Sequence, residues 1–173
     1  MGDHVHTYRT TLAWEGSTGA GYAAYDRTHS LRADPAETGL VLASDPAFLG
    51  DPACLNPEQL LVAAASSCQL LSFLAVAARA RLDVVGYEDA TQAVMPEDDR
   101  PMRITRIDIR ARIVLADTEA ARPTEERLRH LVDVAHRECF IANSVRSEVV
   151  VHPTFTWRDA GGPPARSGPP EST

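Results

Sequence analysis

Cysteine is the side chain in this sequence best suited to chemistry without a cofactor, and the chain carries three: Cys54, Cys68 and Cys139. An odd count fits free thiols in a reducing compartment better than a structural disulfide framework. Cys68 sits in Ala64-Ala65-Ser66-Ser67-Cys68-Gln69, among small residues that let a backbone or a small substrate come close. Cys139 lies in Ala135-His136-Arg137-Glu138-Cys139-Phe140. Two thiols on different elements suit an attacking and a resolving role: a thiolate cleaves an O–O bond, becomes a sulfenic acid, and is captured by the second thiol as a disulfide. Cysteine is equally at home as a small buried hydrophobe, so spacing alone leaves both readings open. A thiol with a pKa near 8.5 is only a few per cent ionised at neutral pH, and Cys68 lies about 15 Å from the positive end of its helix, so a cation is expected beside it.

Other chemistry finds less support. His136, one turn before Cys139, would make half of a zinc site, but the chain offers no second close-spaced ligand pair, so no metal is expected and packing or a hydrogen bond is the ordinary reading. Ser66 and Ser67 belong to no nucleophile elbow. His29 and Asn143 suit a pocket lining and suit strand polarity or helix-end capping equally well. Cys54, in Asp51-Pro52-Ala53-Cys54, reads as an adventitious thiol.

The 173 residues make one domain's worth of chain, large enough to bury a core without disulfide or metal staples. All 17 basic residues are arginine, against 24 acidic ones, and a net charge of -7 argues against a nucleic-acid surface. Residues 60–78 are apolar but interrupted by Ser66, Ser67, Gln69 and Ser72, a poor bilayer span. Met1-Gly2-Asp3-His4 has no leader character, and a cytoplasmic location is expected.

Strands are expected over 4–14, 22–31 and 38–43, followed by a breaker-rich loop over 44–57. Asn56-Pro57-Glu58 is a helix start, with a cap, a proline where its missing N–H costs nothing, and an acid at the positive end of the dipole. The helix should run from Pro57 to about Arg81, apolar nearly all round and therefore central and buried. Strands should follow over 84–95 and 103–115, the second alternating Ile107, Ile109, Ala111, Ile113 and Leu115 against Arg106, Asp108, Arg110 and Arg112. A helix over 123–138 and a strand over 148–157 complete a domain spanning 1–158, and residues 159–173, rich in Pro and Gly, should be a disordered tail. This order predicts an antiparallel α+β protein, and the first helix, lacking a polar face, predicts pairing with a second copy.

Several motifs in this order resemble the OsmC/Ohr family of organic hydroperoxide reductases. They are Asn56-Pro57-Glu58-Gln59-Leu60-Leu61, Ser66-Ser67-Cys68, Ala135-His136-x-x-Cys139 and Ile141-Ala142-Asn143-Ser144-Val145. Upstream, Trp14-x-Gly16, Tyr22-x-x-Tyr25-x-Arg27-x-His29 and Ser44-Asp45-Pro46-Ala47-Phe48-x-Gly50 resemble one branch of it. The resemblance covers His4 to about Pro153. It implies antiparallel sheets wrapped around two central helices in an entwined homodimer. It also implies a two-cysteine thiol peroxidase in which Cys68 attacks an organic hydroperoxide and Cys139 resolves it as a Cys68–Cys139 disulfide. An Arg that holds the thiolate and a Glu that holds the Arg are implied too. The Glu falls on Glu58 and the Arg is assigned to Arg27, with Arg32 and then Arg9 behind it. On a straight helix Glu58 lies about 15 Å from Cys68, so either the helix bends or Glu58 serves the other subunit. No cofactor is implied, and turnover calls on an external dithiol of the lipoyl-protein type. An apolar wall of Leu60, Leu71, Phe73, Phe140 and Ile141 would favour an alkyl hydroperoxide. The alternative is a dimer of the same fold that senses oxidation or binds a small apolar ligand without turnover.

Overall fold

A computed structural model describes residues 5–118 and 122–159. The chain divides into two compact units at Leu61/Val62.

The first unit holds three short strands, β1 (Thr11–Ala13), β2 (His29–Arg32) and β3 (Leu40–Leu42), in an antiparallel meander. Leu12 pairs with Leu31, and Leu31 with Leu40. The first two are much shorter than the sequence suggests. Residues 5–10 have strand-forming side chains, but β1 pairs only over the three residues that face Ser30–Arg32. Tyr22–Tyr25 form a turn instead of extending β2, because the Arg27 guanidinium gathers in the carbonyls of Tyr22 and Tyr25. After β3 the loop closes through a 3₁₀ turn at Pro46–Phe48 capped by Asp45, which accepts from the Ala47 N–H at 2.8 Å. Gly50 is obligatory there: a Cβ would stand 1.6 Å from the Ser44 carbonyl oxygen.

Helix α1 (Pro57–Arg79) begins as the sequence indicates. Asn56 Oδ1 accepts from the Gln59 N–H at 2.8 Å, and Gln59 Oε1 accepts from the Asn56 N–H at 3.0 Å, a reciprocal capping box. The helix ends at Arg79 because Arg81 adopts φ 58, letting the Leu82 N–H reach the Ala77 carbonyl at 2.9 Å and the Arg81 N–H reach Ala78 at 3.1 Å.

The second unit contains the rest of α1, then β4 (Val84–Val94), β5 (Arg106–Asp117), α2 (Glu125–Glu138) and β6 (Glu148–Asp159). The sheet order is β4-β5-β6. β4 and β5 are antiparallel, but β5 and β6 run parallel, correcting the expectation of purely antiparallel sheets. The physical reason is α2: a helix in the connection carries the chain back to the start of the sheet, so the next strand enters in the same direction as β5. Ile107, Ile109, Ala111, Ile113 and Leu115 are buried as their alternation requires. Phe73, Val76 and Ala77 of α1 and Leu128, Leu131, Val132 and Ala135 of α2 pack in one core with Ala111, Ile113 and Leu115. The carboxylate of Asp89 on β4 accepts from Ser66 Oγ at 2.8 and 2.9 Å and from Thr91 Oγ1 at 2.8 Å, fixing α1 over the strand.

Helix α1 is not buried all round, contrary to expectation. A single three-stranded sheet covers one face, and Ala63, Ser67, Leu71, Leu74 and Ala78 form an exposed stripe on the helix. β6 extends through Asp159, past the expected end at Trp157 and into the first residue of the tail expected over 159–173, because its pairing with β5 continues to Asp117; residues 160–173 lie outside the described residues.

Candidate functional site: two thiols and a turn

Cys68 stands midway along α1, where the helix has already consumed its own backbone donors, so any group that polarises its sulfur must arrive from another segment. Cys139 is the C-cap of α2, and the turn that follows it supplies those groups. The Ile141 N–H donates to Cys68 Sγ at 3.5 Å, and the Ala142 N–H donates to Cys139 Sγ at 3.5 Å. The two thiols also interact with each other, which favours the charged form of Cys68 and the neutral form of Cys139.

The site is electrostatically asymmetric. Desolvation pulls the pKa of Cys68 up, but the Ile141 N–H, the Cys139 thiol, the Phe140 N–H and the Ser72 hydroxyl outweigh it and hold the pKa below the ordinary thiol value. Burial pushes the pKa of Cys139 up to about 11, and its interaction with Cys68 adds to this while the Ala142 and Ile141 amides oppose it. Cys68 is partly accessible and Cys139 is buried. One thiol is thus prepared to ionise and meet a reagent, and its neighbour keeps its proton. The groups of the second unit that favour the Cys68 thiolate are amides, a thiol and a hydroxyl. Amide dipoles aimed at a sulfur stabilise its charge in the same sense as a guanidinium.

Of the residues assigned from sequence, Cys68 and Cys139 are brought together. Glu58 lies in the first turn of α1, about 15 Å along the axis from Cys68. Arg27 is built into the first unit, only 7% exposed. Its guanidinium donates to the Tyr25 carbonyl at 2.8 Å and the Tyr22 carbonyl at 2.6 Å, and lies 4.0 Å and 4.8 Å from the two ring centroids. It borders a groove of about 420 Å³ together with Leu12, Trp14, Tyr25 and His29. Arg32 and Arg9 are exposed. Cys54 is a half-exposed free thiol whose N–H bonds the Asp51 carbonyl at 3.1 Å. His136 has its Nδ1 buried without a partner among the described residues. Phe73, expected on a substrate wall, is in the core at 1% exposure, whereas Leu71 and Phe140 are exposed and Ile141 is half-buried. The turn amides went unforeseen because every residue carries an N–H and only the fold aims it. Ser72, one helical turn after Cys68, was the one part of the missed set that spacing could have exposed.

Fold and site together define a small α+β protein with a paired-thiol centre. The chain belongs to the OsmC-like protein family, whose model matches residues 50–154. An OsmC-like protein of unknown function from Vibrio cholerae is similar at 27% identity, with a TM-score of 0.76 over 87% of this chain and 100% of that one. An organic hydroperoxide resistance protein from Elizabethkingia anophelis shares the fold at 17% identity, with a TM-score of 0.64 over 90% of this chain and 99% of that one. The organic hydroperoxide resistance protein OhrB of Bacillus subtilis does so at 19% identity, with a TM-score of 0.55 over 87% and 98%. No curated protein matches the chain.

Proposed function

We propose that the protein is a cytoplasmic thiol peroxidase for organic hydroperoxides. The observation that carries this reading is that one turn brings a partly accessible Cys68 and a buried Cys139 together, the Ile141 N–H on the first sulfur and the Ala142 N–H on the second. The Cys68 thiolate attacks the distal oxygen of the hydroperoxide, the O–O bond breaks, and the departing alkoxide takes a proton to leave as an alcohol. Cys68 is then a sulfenic acid. The Cys139 sulfur attacks it, the S–O bond breaks, water leaves with the thiol proton, and a Cys68–Cys139 disulfide remains. An external dithiol, of the lipoyl-protein type that the sequence resemblance implies, reduces the disulfide by exchange. Family resemblance also supports Arg27 as a cation for the thiolate and Glu58 as the carboxylate that orients it. The accessible apolar side chain of Phe140, next in sequence to Cys139, favours an alkyl or aryl hydroperoxide over hydrogen peroxide. A second copy of the chain is the proposed cover for the exposed α1 stripe.

Intact mass and thiol counting after one equivalent of cumene hydroperoxide test this. Wild type and Cys54→Ser should each lose two thiols and about 2 Da per chain. Cys68→Ser should stay reduced, and Cys139→Ser should gain oxygen in steps of about 16 Da as its unresolved sulfenic acid over-oxidises. With a dithiol present, wild type should consume many equivalents. A single stoichiometric oxidation would instead favour a redox sensor, and three thiols that stay reduced would end the peroxidase reading.

A further inference from the structure

The turn after α2 is built with more care than a loop end requires. Two successive N–H groups are directed at the two sulfurs, Ile141 at Cys68 Sγ and Ala142 at Cys139 Sγ, each at 3.5 Å, and the Phe140 N–H before them also favours the Cys68 thiolate. Such a convergence of amides is a concave anion site. What holds it is Asn143. Its Nδ2 donates to the Arg137 carbonyl at 2.9 Å and to the Cys139 carbonyl at 2.9 Å, and its own N–H reaches the Cys139 carbonyl at 3.1 Å. Both carbonyls belong to the end of α2, where the helix leaves acceptors without intrahelical partners. Ser144 Oγ closes the far side on the Phe140 carbonyl at 2.7 Å.

We propose that the turn over 140–142 is an amide nest whose Ile141 N–H holds the Cys68 thiolate while its Ala142 N–H holds the neighbouring Cys139 sulfur, and that Asn143 is the positioning residue that aims it. The Ile141 N–H is spent on Cys68 Sγ, and α1 offers no free amide at that depth. The side-chain amide of Asn143 ties the start of the turn to the last turn of α2, so the donors keep their direction when the sulfur is charged. Because the same turn begins with Cys139, the groups that stabilise the attacking sulfur also keep the resolving sulfur beside it. The inference rests on Cys68 being the reactive thiol of the proposed peroxidase, but it concerns the thiolate before any peroxide arrives.

The test is the pH dependence of iodoacetamide alkylation at Cys68, read by peptide mass on the full chain for wild type, Asn143→Ala, Asn143→Leu and Asn143→Gln. Circular dichroism melting identifies the folded variants. Ala and Leu both remove the two side-chain bonds, Leu without leaving a space, so one can stand in if the other does not fold. In the folded variants the alkylation midpoint should move up by about half to one pH unit, leaving about three- to tenfold less thiolate at pH 7. Gln, which keeps the amide, should restore part of the shift. A midpoint unchanged in folded Ala or Leu variants overturns the nest, whatever happens to their stability. Failure of wild type to react with cumene hydroperoxide, with the midpoint shift still present, would remove the peroxidase reading and leave the nest standing.

Discussion

At the scale of single residues, the two cysteines differ through their surroundings rather than their chemistry. Cys139 is buried, and burial pushes its pKa up to about 11. A group whose pKa is raised by folding contributes stability that is complete below the unfolded pKa and is lost as the pH rises through the folded one. Under reducing conditions, the melting temperature of wild type should therefore fall more steeply between about pH 9 and pH 11 than that of Cys139→Ser. Tyr87, whose pKa is raised first by burial and then by Asp89, is common to both proteins and cancels in the comparison. Parallel melting curves would show that burial of Cys139 is not linked to folding.

At the scale of elements, α1 carries both Cys68 and Glu58, the thiol and the carboxylate assigned from sequence, so its start must be fixed. The Asn56–Gln59 capping box does this, and Asn56 Nδ2 adds a bond to Asp45 Oδ2 at 3.1 Å. Asn56 is 4% exposed, so replacing it by alanine strands partners that water reaches poorly. Asn56→Ala should lower unfolding free energy by about 1–2 kcal/mol in urea titration, with the slope unchanged. The cap was legible in the sequence because its residue types are local and mechanistic. Strand lengths in the first unit were not: Tyr22 and Tyr25 have strand-forming side chains, yet the demand of one buried guanidinium for carbonyl acceptors bends their backbone into a turn. The parallel pairing of β5 with β6 was also missed, since direction depends on where α2 returns the chain and not on any residue pattern within β6.

At the scale of the whole molecule, α1 poses the open energetic question. It is long and apolar enough to cross a membrane by length and composition, yet Phe73, Val76 and Ala77 pack in a core with β5 and α2. The remaining stripe leaves Leu71 63% and Leu74 37% exposed. An exposed apolar stripe of this size calls for cover, and a second copy can bury α1 against α1. Light scattering should give wild type twice the chain mass, and Leu71→Glu should shift it toward the single chain at micromolar concentration. A wild type of single-chain mass would remove the proposed dimer and leave the thiol pair untouched.

The sequence by itself determined the α+β class, the capped start of α1, the alternation of β5, and the two cysteines as the residues able to do chemistry. These follow from local periodicity, local hydrogen-bonding capacity and side-chain reactivity, all of which a string of residues carries. Only the tertiary structure decided which sulfur ionises first, because that depends on depth of burial and on amides delivered from a turn more than seventy residues away in the chain. It also turned Phe73 into the core and away from any substrate wall, and set β6 parallel to β5. The physical reason is common to all of these: direction in space, unlike residue type, is fixed only when distant segments pack.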